Sequence, residues 1–174
     1  KNIISISQKD KINSIEITVE PDWSSASYFY SIVSLAEIGY SLELSNFKSY
    51  SIQGDKSVSK IFELFGVKTT FLDESIRLEK IAKSEKIINL DLSANPDLAQ
   101  TIAVTCLALK ISCKLIGLHT LKIKETDRII ALENEIKKFN VFPMVTNDSI
   151  EFNASKAMFK ATKIRTYEDH RMAM

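Results

Sequence analysis

Cysteine, glycine, proline and histidine are all scarce in this chain of 174 residues, which has two, four, three and two of them. The two cysteines, Cys106 and Cys113, sit in apolar stretches with no companion cysteine or histidine nearby. They read as buried free thiols rather than a disulfide framework or a thiolate metal site, which fits a reducing, cytoplasmic setting. No two glycines have the spacing that cradles a nucleotide phosphate, so neither a P-loop nor a dinucleotide fingerprint is present. His119 and His170 lie far apart and lack a carboxylate or cysteine at ligand spacing, so no metal site is expected. No apolar run approaches the roughly 18 residues of a spanning helix, and no secretory leader pattern opens the sequence, so no membrane partner is expected. With 23 basic and 22 acidic residues, the net charge is +1. General affinity for nucleic acid is thereby excluded, and any anion binding has to be local.

What the chain does have is an ordinary globular composition, 45% hydrophobic and 26% charged, and a repeating order of elements. Residues 1–13 are polar and read as a loop. Ile15, Ile17 and Val19 alternate with Glu16, Thr18 and Glu20, the pattern of a half-buried strand. Pro21-Asp22 stops it, and Asp22 or Ser24 can cap a helix over 25–38 that is apolar nearly all round and is expected inside the domain. Leu42 and Leu44 mark a strand, and Gln53-Gly54-Asp55 turns into a helix carrying Val58, Ile61, Phe62 and Phe65. Gly66 ends that helix, and a hairpin over 67–72 and 75–78 follows. The same order then returns: a strand at 87–92, a helix opened by Pro96-Asp97, a strand at 115–118, a helix from Lys124–Arg128 to Asn140, and a hairpin over 141–146 and 149–152. Asp22 and Asp97, Asp55 and Asp127, and Gly66 and Asn140 each lie roughly 74 residues apart. A third round starts with a strand at 163–166 and Asp169. The fold class is therefore α/β (α+β), with strand–helix–strand–helix–strand–strand units packed around shared buried helices and the third unit truncated. The chain reads as a fragment of a longer protein.

Chemistry concentrates in Lys124-Glu125-Thr126-Asp127-Arg128. Thr126 or Asp127 can cap the helix whose buried stripe is Ile129, Leu132, Ile136 and Phe139. A helix start carries unpartnered N–H groups and partial positive charge, and Lys124 and Arg128 add two cations for a phosphate or carboxylate. Glu125 between them can exchange a proton with a bound ligand. By spacing alone, a capped amphipathic helix with a charged first turn is the favoured reading, since charged helix starts are common. The repeat tilts this toward function, because the first unit has Ile52-Gln53 where the second has Lys-Glu, and simple capping would need the charges in both. Asp22, Asp97 and Asp169 occupy matching helix starts and are all explained as caps, but Asp169 is followed by a second cationic pair, His170-Arg171.

At these residues the sequence resembles the enolpyruvyl transferases, and among them the 5-enolpyruvylshikimate-3-phosphate synthases. The matching pieces are Asp22-Trp23-Ser24-Ser25-Ala26-Ser27-Tyr28-Phe29, Gln53-Gly54-Asp55, Asn95-Pro96-Asp97, Lys124-Glu125-Thr126-Asp127-Arg128 and Asp169-His170-Arg171-Met172-Ala173-Met174, in family order. The resemblance implies one lobe of a two-lobed fold, with residues 1–19 as a loop and trailing strand from the inter-lobe crossover and 20–174 as an incomplete lobe. Within that lobe, unit one covers about 20–80, unit two about 86–153, and the start of unit three about 162–174. It implies transfer of the enolpyruvyl group of phosphoenolpyruvate to the 5-hydroxyl of shikimate 3-phosphate with release of phosphate, needing no metal or organic cofactor. By position, Asp97 would deprotonate the attacking hydroxyl, Glu125 would shuttle a proton at the enolpyruvyl carbon, and Lys124 would sit beside the reacting oxygen and phosphate. Arg128 and Arg171, with His170 alongside, would hold the phosphoenolpyruvate anions. Thr120 stands where the family often has Asn, which puts a substrate hydroxyl contact there in question, and Pro21 and Trp23 replace smaller residues. The implied partners are these two anionic substrates and the N-terminal lobe, without which the fragment is expected to be inactive. The remaining alternatives are a transferase acting on UDP-N-acetylglucosamine and a non-catalytic anion-binding domain.

Overall fold

Helix α1 (Trp23–Leu35) starts because Asp22 is extended and its carboxylate accepts the amides of Ser24 and Ser25 at 3.0 and 3.2 Å. The computed structural model describes residues 3–8 and 14–174; the remaining part of the loop expected at 1–13 lies outside the described residues. After α1 come β1 (Ser41–Ser45) and a short α2 (Val58–Ile61) flanked by 3-10 turns Gly54–Ser57 and Phe62–Phe65. Gly66 ends this run in the left-handed region, φ 74°, as the sequence anticipates. β2 (Val67–Phe71) and β3 (Ser75–Lys80) complete a three-stranded antiparallel sheet in the order β1-β3-β2.

The second round builds a four-stranded sheet from β4 (Ile87–Asp91), β5 (Ser112–Ile116), β6 (Met144–Val145) and β7 (Ser149–Asn153), in the order β4-β5-β7-β6. β4 and β5 are parallel, so the chain crosses between them through the 3-10 turn Pro96–Leu98 and α3 (Ala99–Ala108). A second 3-10 turn, His119–Ile123, leads into α4 (Arg128–Lys137), and α5 (His170–Ala173) opens the third round. The repeat is visible in the packing of α1 on α3. Ser27 Oγ meets Thr101 Oγ1 at 2.9 Å and Ser31 Oγ meets Thr105 Oγ1 at 2.7 Å, each pair separated by 74 positions. Repeat-equivalent hydroxyls thus face one another between the two helices, bringing the helix starts to one end of the molecule. The core around them runs through Trp23, Tyr30, Phe62, Phe65, Leu98, Ile102, Leu115 and Leu132.

Several sequence expectations change. The strand read at 15–19 forms no ladder among the described residues, and Ile15, Ile17 and Val19 are 73, 77 and 85% exposed. Alternation specifies two faces, but a strand also needs an edge to pair with. The stretch 163–166 is likewise not a strand, because side chains of α4 and its C-cap take its backbone: Lys138 Nζ donates to the Lys163 carbonyl and the Arg165 amide donates to Glu135. The strand expected at 115–118 starts earlier and stops at Ile116, since Gly117 turns with φ 78°. Pro143, lacking an N–H, precedes the short β6. The first helix is not inside on all sides either. Phe29, Ile32 and Leu35 form an exposed stripe on it, while Ser24, Ser27 and Ser34 are buried, because their hydroxyls bond Asp55, Thr101 and the Ser31 carbonyl.

Candidate active site

The first turn of α4 follows from one side chain, since Asp127 is extended and accepts the Ile130 amide at 3.2 Å. That cap fixes the direction of Arg128, which is turned inward and almost completely buried, its side chain 2% exposed. An arginine can be held there only if its charge and donors are matched. Three carboxylates do this. Nε and Nη2 reach Asp169 at 2.8 and 3.2 Å in a two-pronged contact, Nη1 reaches Asp97 at 3.1 Å, and Nη2 also reaches Glu125 at 2.8 Å. Asp169 is itself buried and caps α5 by accepting the Arg171 and Met172 amides. Burial alone would raise its pKa. The Arg128 fork and those amides outweigh burial and hold it below the usual carboxylate range.

Above this buried base lie the accessible groups. Lys124 Nζ approaches Asp97 at 3.3 Å and Arg171 Nη2 approaches its other oxygen at 3.5 Å, so three cations converge on one carboxylate. His170 Nδ1 lies 3.4 Å from Glu125. Side chains of Asp97, Lys124 and Glu125 are 28, 33 and 46% exposed, open enough to meet a ligand. Asp97 differs from the other two repeat-related aspartates: it lies inside the 3-10 turn Pro96–Leu98, where no side chain caps, so capping does not explain it. That is a correction to the reading of all three as caps, and it leaves Asp97 with both oxygens turned to cations.

Six of the seven sequence-predicted residues have a clear place here. Asp97, Lys124, Glu125, Arg128, His170 and Arg171 come together from three separate segments. Thr120 does not join them by any bond: its hydroxyl is buried and has no hydrogen-bond partner among the described residues. Sequence reasoning assigned Asp169 only a capping role and missed its ion pair with Arg128. It also missed Tyr28 and Asp55 beside Arg171. Burial pushes the Asp55 carboxyl up against the opposing pull of the Ser24 hydroxyl and Arg171, and pushes the Tyr28 phenol up likewise. The available signal for Asp55 was its repeat equivalence to Asp127.

As a cation site the cluster is poor. Glu125, Asp169 and His170 bring three ligand atoms within 4.8 Å of one another, but Arg128 already donates to both carboxylates. As an anion site it is plausible chemistry, because Lys124, Arg171 and His170 are held near one another by carboxylates that an incoming anion could displace. Among the described residues, no helix is long and apolar enough to cross a membrane.

Comparison with known proteins supplies a family. The family model described as EPSP synthase (3-phosphoshikimate 1-carboxyvinyltransferase) matches residues 1–174. The chain is 42% identical over 162 residues to the 3-phosphoshikimate 1-carboxyvinyltransferase of Bacteroides fragilis, covering 92% of this chain and 39% of that protein. It is 35% identical over 161 residues to the enzyme of the same name from Buchnera aphidicola subsp. Baizongia pistaciae, covering 91% and 36%. The EPSP synthase structure from Acinetobacter baumannii shares the fold at TM-score 0.65 and 20% identity, over 89% of this chain and 38% of that one. The chain thus spans well under half the length of the curated relatives it matches. With a family match along its whole length and the fold to go with it, the chain belongs to the EPSP synthase family.

Proposed function

We propose that this chain forms the lobe of a cytoplasmic enolpyruvyl transferase that supplies the proton-transfer groups, acting on phosphoenolpyruvate and shikimate 3-phosphate together with an N-terminal lobe. The observation that carries the reading is the convergence of Lys124, Arg128 and Arg171 on Asp97, with Glu125 alongside. The reaction needs a base at the attacking hydroxyl, an acid at the methylene carbon of the enol, and cations for the phosphate and carboxylate. Asp97 takes the hydroxyl proton as the oxygen bonds to the substituted enol carbon, and Glu125 gives a proton to the methylene, making a methyl group and a tetrahedral intermediate. Glu125 then takes back a methyl proton while the carbon–oxygen bond to phosphate breaks, and the product keeps the enol ether. Lys124 and Arg171 neutralise the anions during these steps, and His170 orients Glu125. Arg128 acts from below, locking Asp97, Glu125 and Asp169 in place, since four of its five N–H groups are already committed to them.

The full-length protein, offered phosphoenolpyruvate with either shikimate 3-phosphate or UDP-N-acetylglucosamine, is expected to release phosphate only with the first. Release with the nucleotide sugar would transfer the reading to the sister transferases. Release with neither acceptor would leave an anion-binding domain.

A further inference from the structure

Two consecutive residues ahead of the site, Tyr167 and Glu168, have φ 56° and 53°, a left-handed conformation that side-chain-bearing residues adopt at a cost. They form the turn that delivers Asp169-His170-Arg171, and nothing in a free loop would keep them there. The Asp169 amide closes the turn by donating to the Thr166 carbonyl at 3.0 Å, and one carboxylate on α4 ties it to the helix. Glu135 accepts the Tyr167 hydroxyl at 2.8 Å on one oxygen, and the Arg165 amide at 3.3 Å and Lys138 Nζ at 2.5 Å on the other. It is buried, and it lies two turns along α4 from Arg128, on the same side. The two ends of that helical side therefore grip the same segment: Arg128 holds Asp169, and Glu135 holds the turn just before it.

We propose that Glu135 is a positioning residue of this site, which acts through Tyr167 to fix the strained turn that sets Asp169 against Arg128 and, with it, Arg171 at the anion. Its effect on turnover rests on the transferase reading above; its effect on the geometry does not. When the latch opens, the turn is free to relax, Asp169 retreats from the Arg128 fork, and the α5 amides lose their cap.

The test is made on Tyr167→Phe, which removes one hydroxyl and keeps the test readable if Glu135→Gln, the stronger change made beside it, prevents folding. In the full-length protein, hydrogen exchange of the Arg171 and Met172 amides is expected to quicken about ten-fold or more in Tyr167→Phe, as a bond to a charged acceptor is lost. Amides in the middle of α4 should keep their rates, and the Arg128 Nε–H signal should broaden or shift. Adding Glu168→Gly, which adopts the left-handed turn freely, should restore part of the protection. In the full-length protein, the same Tyr167→Phe change should raise KM for phosphoenolpyruvate three- to ten-fold, with kcat altered less than two-fold. Unchanged exchange at Arg171 and Met172, acceleration spread evenly through α4, or an unchanged KM in an enzyme that does turn over would each overturn the proposal. If the unmodified protein transfers no enolpyruvyl group, the transferase reading fails alone, and the exchange rates and the Arg128 signal still decide the latch.

Discussion

Arg128 and Lys124 are neighbours in one motif, but their environments give them opposite expected phenotypes. Removing the Arg128 guanidinium leaves Asp169 buried without its partner, and Arg128→Ala is expected to cost about 3–5 kcal/mol of stability. Lys124 is a third exposed and, among the described residues, paired only with Asp97, so Lys124→Ala should shift stability by no more than about 0.5 kcal/mol. Phosphoenolpyruvate binding by the full-length protein should nevertheless weaken at least ten-fold. Chemical denaturation beside ligand titration checks both; equal stability losses would mean that Lys124 is structural. The carboxylates add a pH dependence with a definite sign. Asp169 and Glu135 are each opposed by burial but held below the usual carboxylate range, Asp169 by Arg128 and the α5 amides, Glu135 by Lys138, Tyr167 and the Arg165 amide. Such groups add stability that is complete above the unfolded carboxylate range, about pH 4, and is lost as acid protonates the folded state. Asp55, raised by burial, works weakly the other way at the upper edge of that range. The melting temperature should therefore fall as pH drops below about 4, and Glu135→Gln should flatten part of the fall; a curve identical to the unmodified protein's would contradict this. The cationic and acidic strings were readable in sequence because they are contiguous. The pairing of Arg128 with Asp169 was not, because it joins positions 41 apart. Glu135 left one faint trace, a carboxylate lying beside the apolar stripe of Ile129, Leu132 and Ile136.

Among the elements, caps and turns were the most legible features, because their cause is local. Asp22, Gly66 and Asp127 begin or end helical runs where their side chains or backbone freedom say they should, whereas α4 already stops at Lys137 and Asn140, at φ 61°, closes the turn that follows it. Gly66 and Asn140 also offer a paired test. A Cβ on Gly66 would lie 2.0 Å from the Ala82 carbonyl oxygen, at φ 74°. Gly66→Ala should thus lose about 2 kcal/mol or more, whereas Asn140→Gly, at φ 61°, should be neutral or gain up to about 1 kcal/mol. Thermal unfolding of the two variants checks the pair, and a harmless Gly66→Ala would mean that the Ala82 segment is free to move. Strands were less legible. Alternation at 15–19 and the apolar-flanked run at 163–166 both satisfy a strand pattern, yet neither has a backbone partner strand among the described residues. The hairpins survive because their second strand is supplied a few residues later; parallel pairing such as β4 with β5 depends on a crossover that periodicity does not specify.

At the scale of the whole molecule, duplication explains why a site exists at this end. Packing α1 against α3 through repeat-equivalent hydroxyls aligns their starts, and α5 opens beside the start of α4, so segments distant in sequence bring Asp97, Lys124, Glu125 and Arg171 to one surface. Charge within the cluster is nearly balanced, in line with the net charge of +1 of the whole chain. The chain covers 39% of its Bacteroides fragilis relative, and the proposed reaction calls for the complementary lobe. The most direct test of the central claim is phosphate release by the full-length protein from phosphoenolpyruvate and shikimate 3-phosphate, measured with and without Glu125→Gln. Release that depends on the acceptor and falls at least a hundred-fold in a folded Glu125→Gln protein, about 2.7 kcal/mol of transition-state stabilisation, is what proton transfer by Glu125 predicts. Release that continues unchanged in the variant would contradict it.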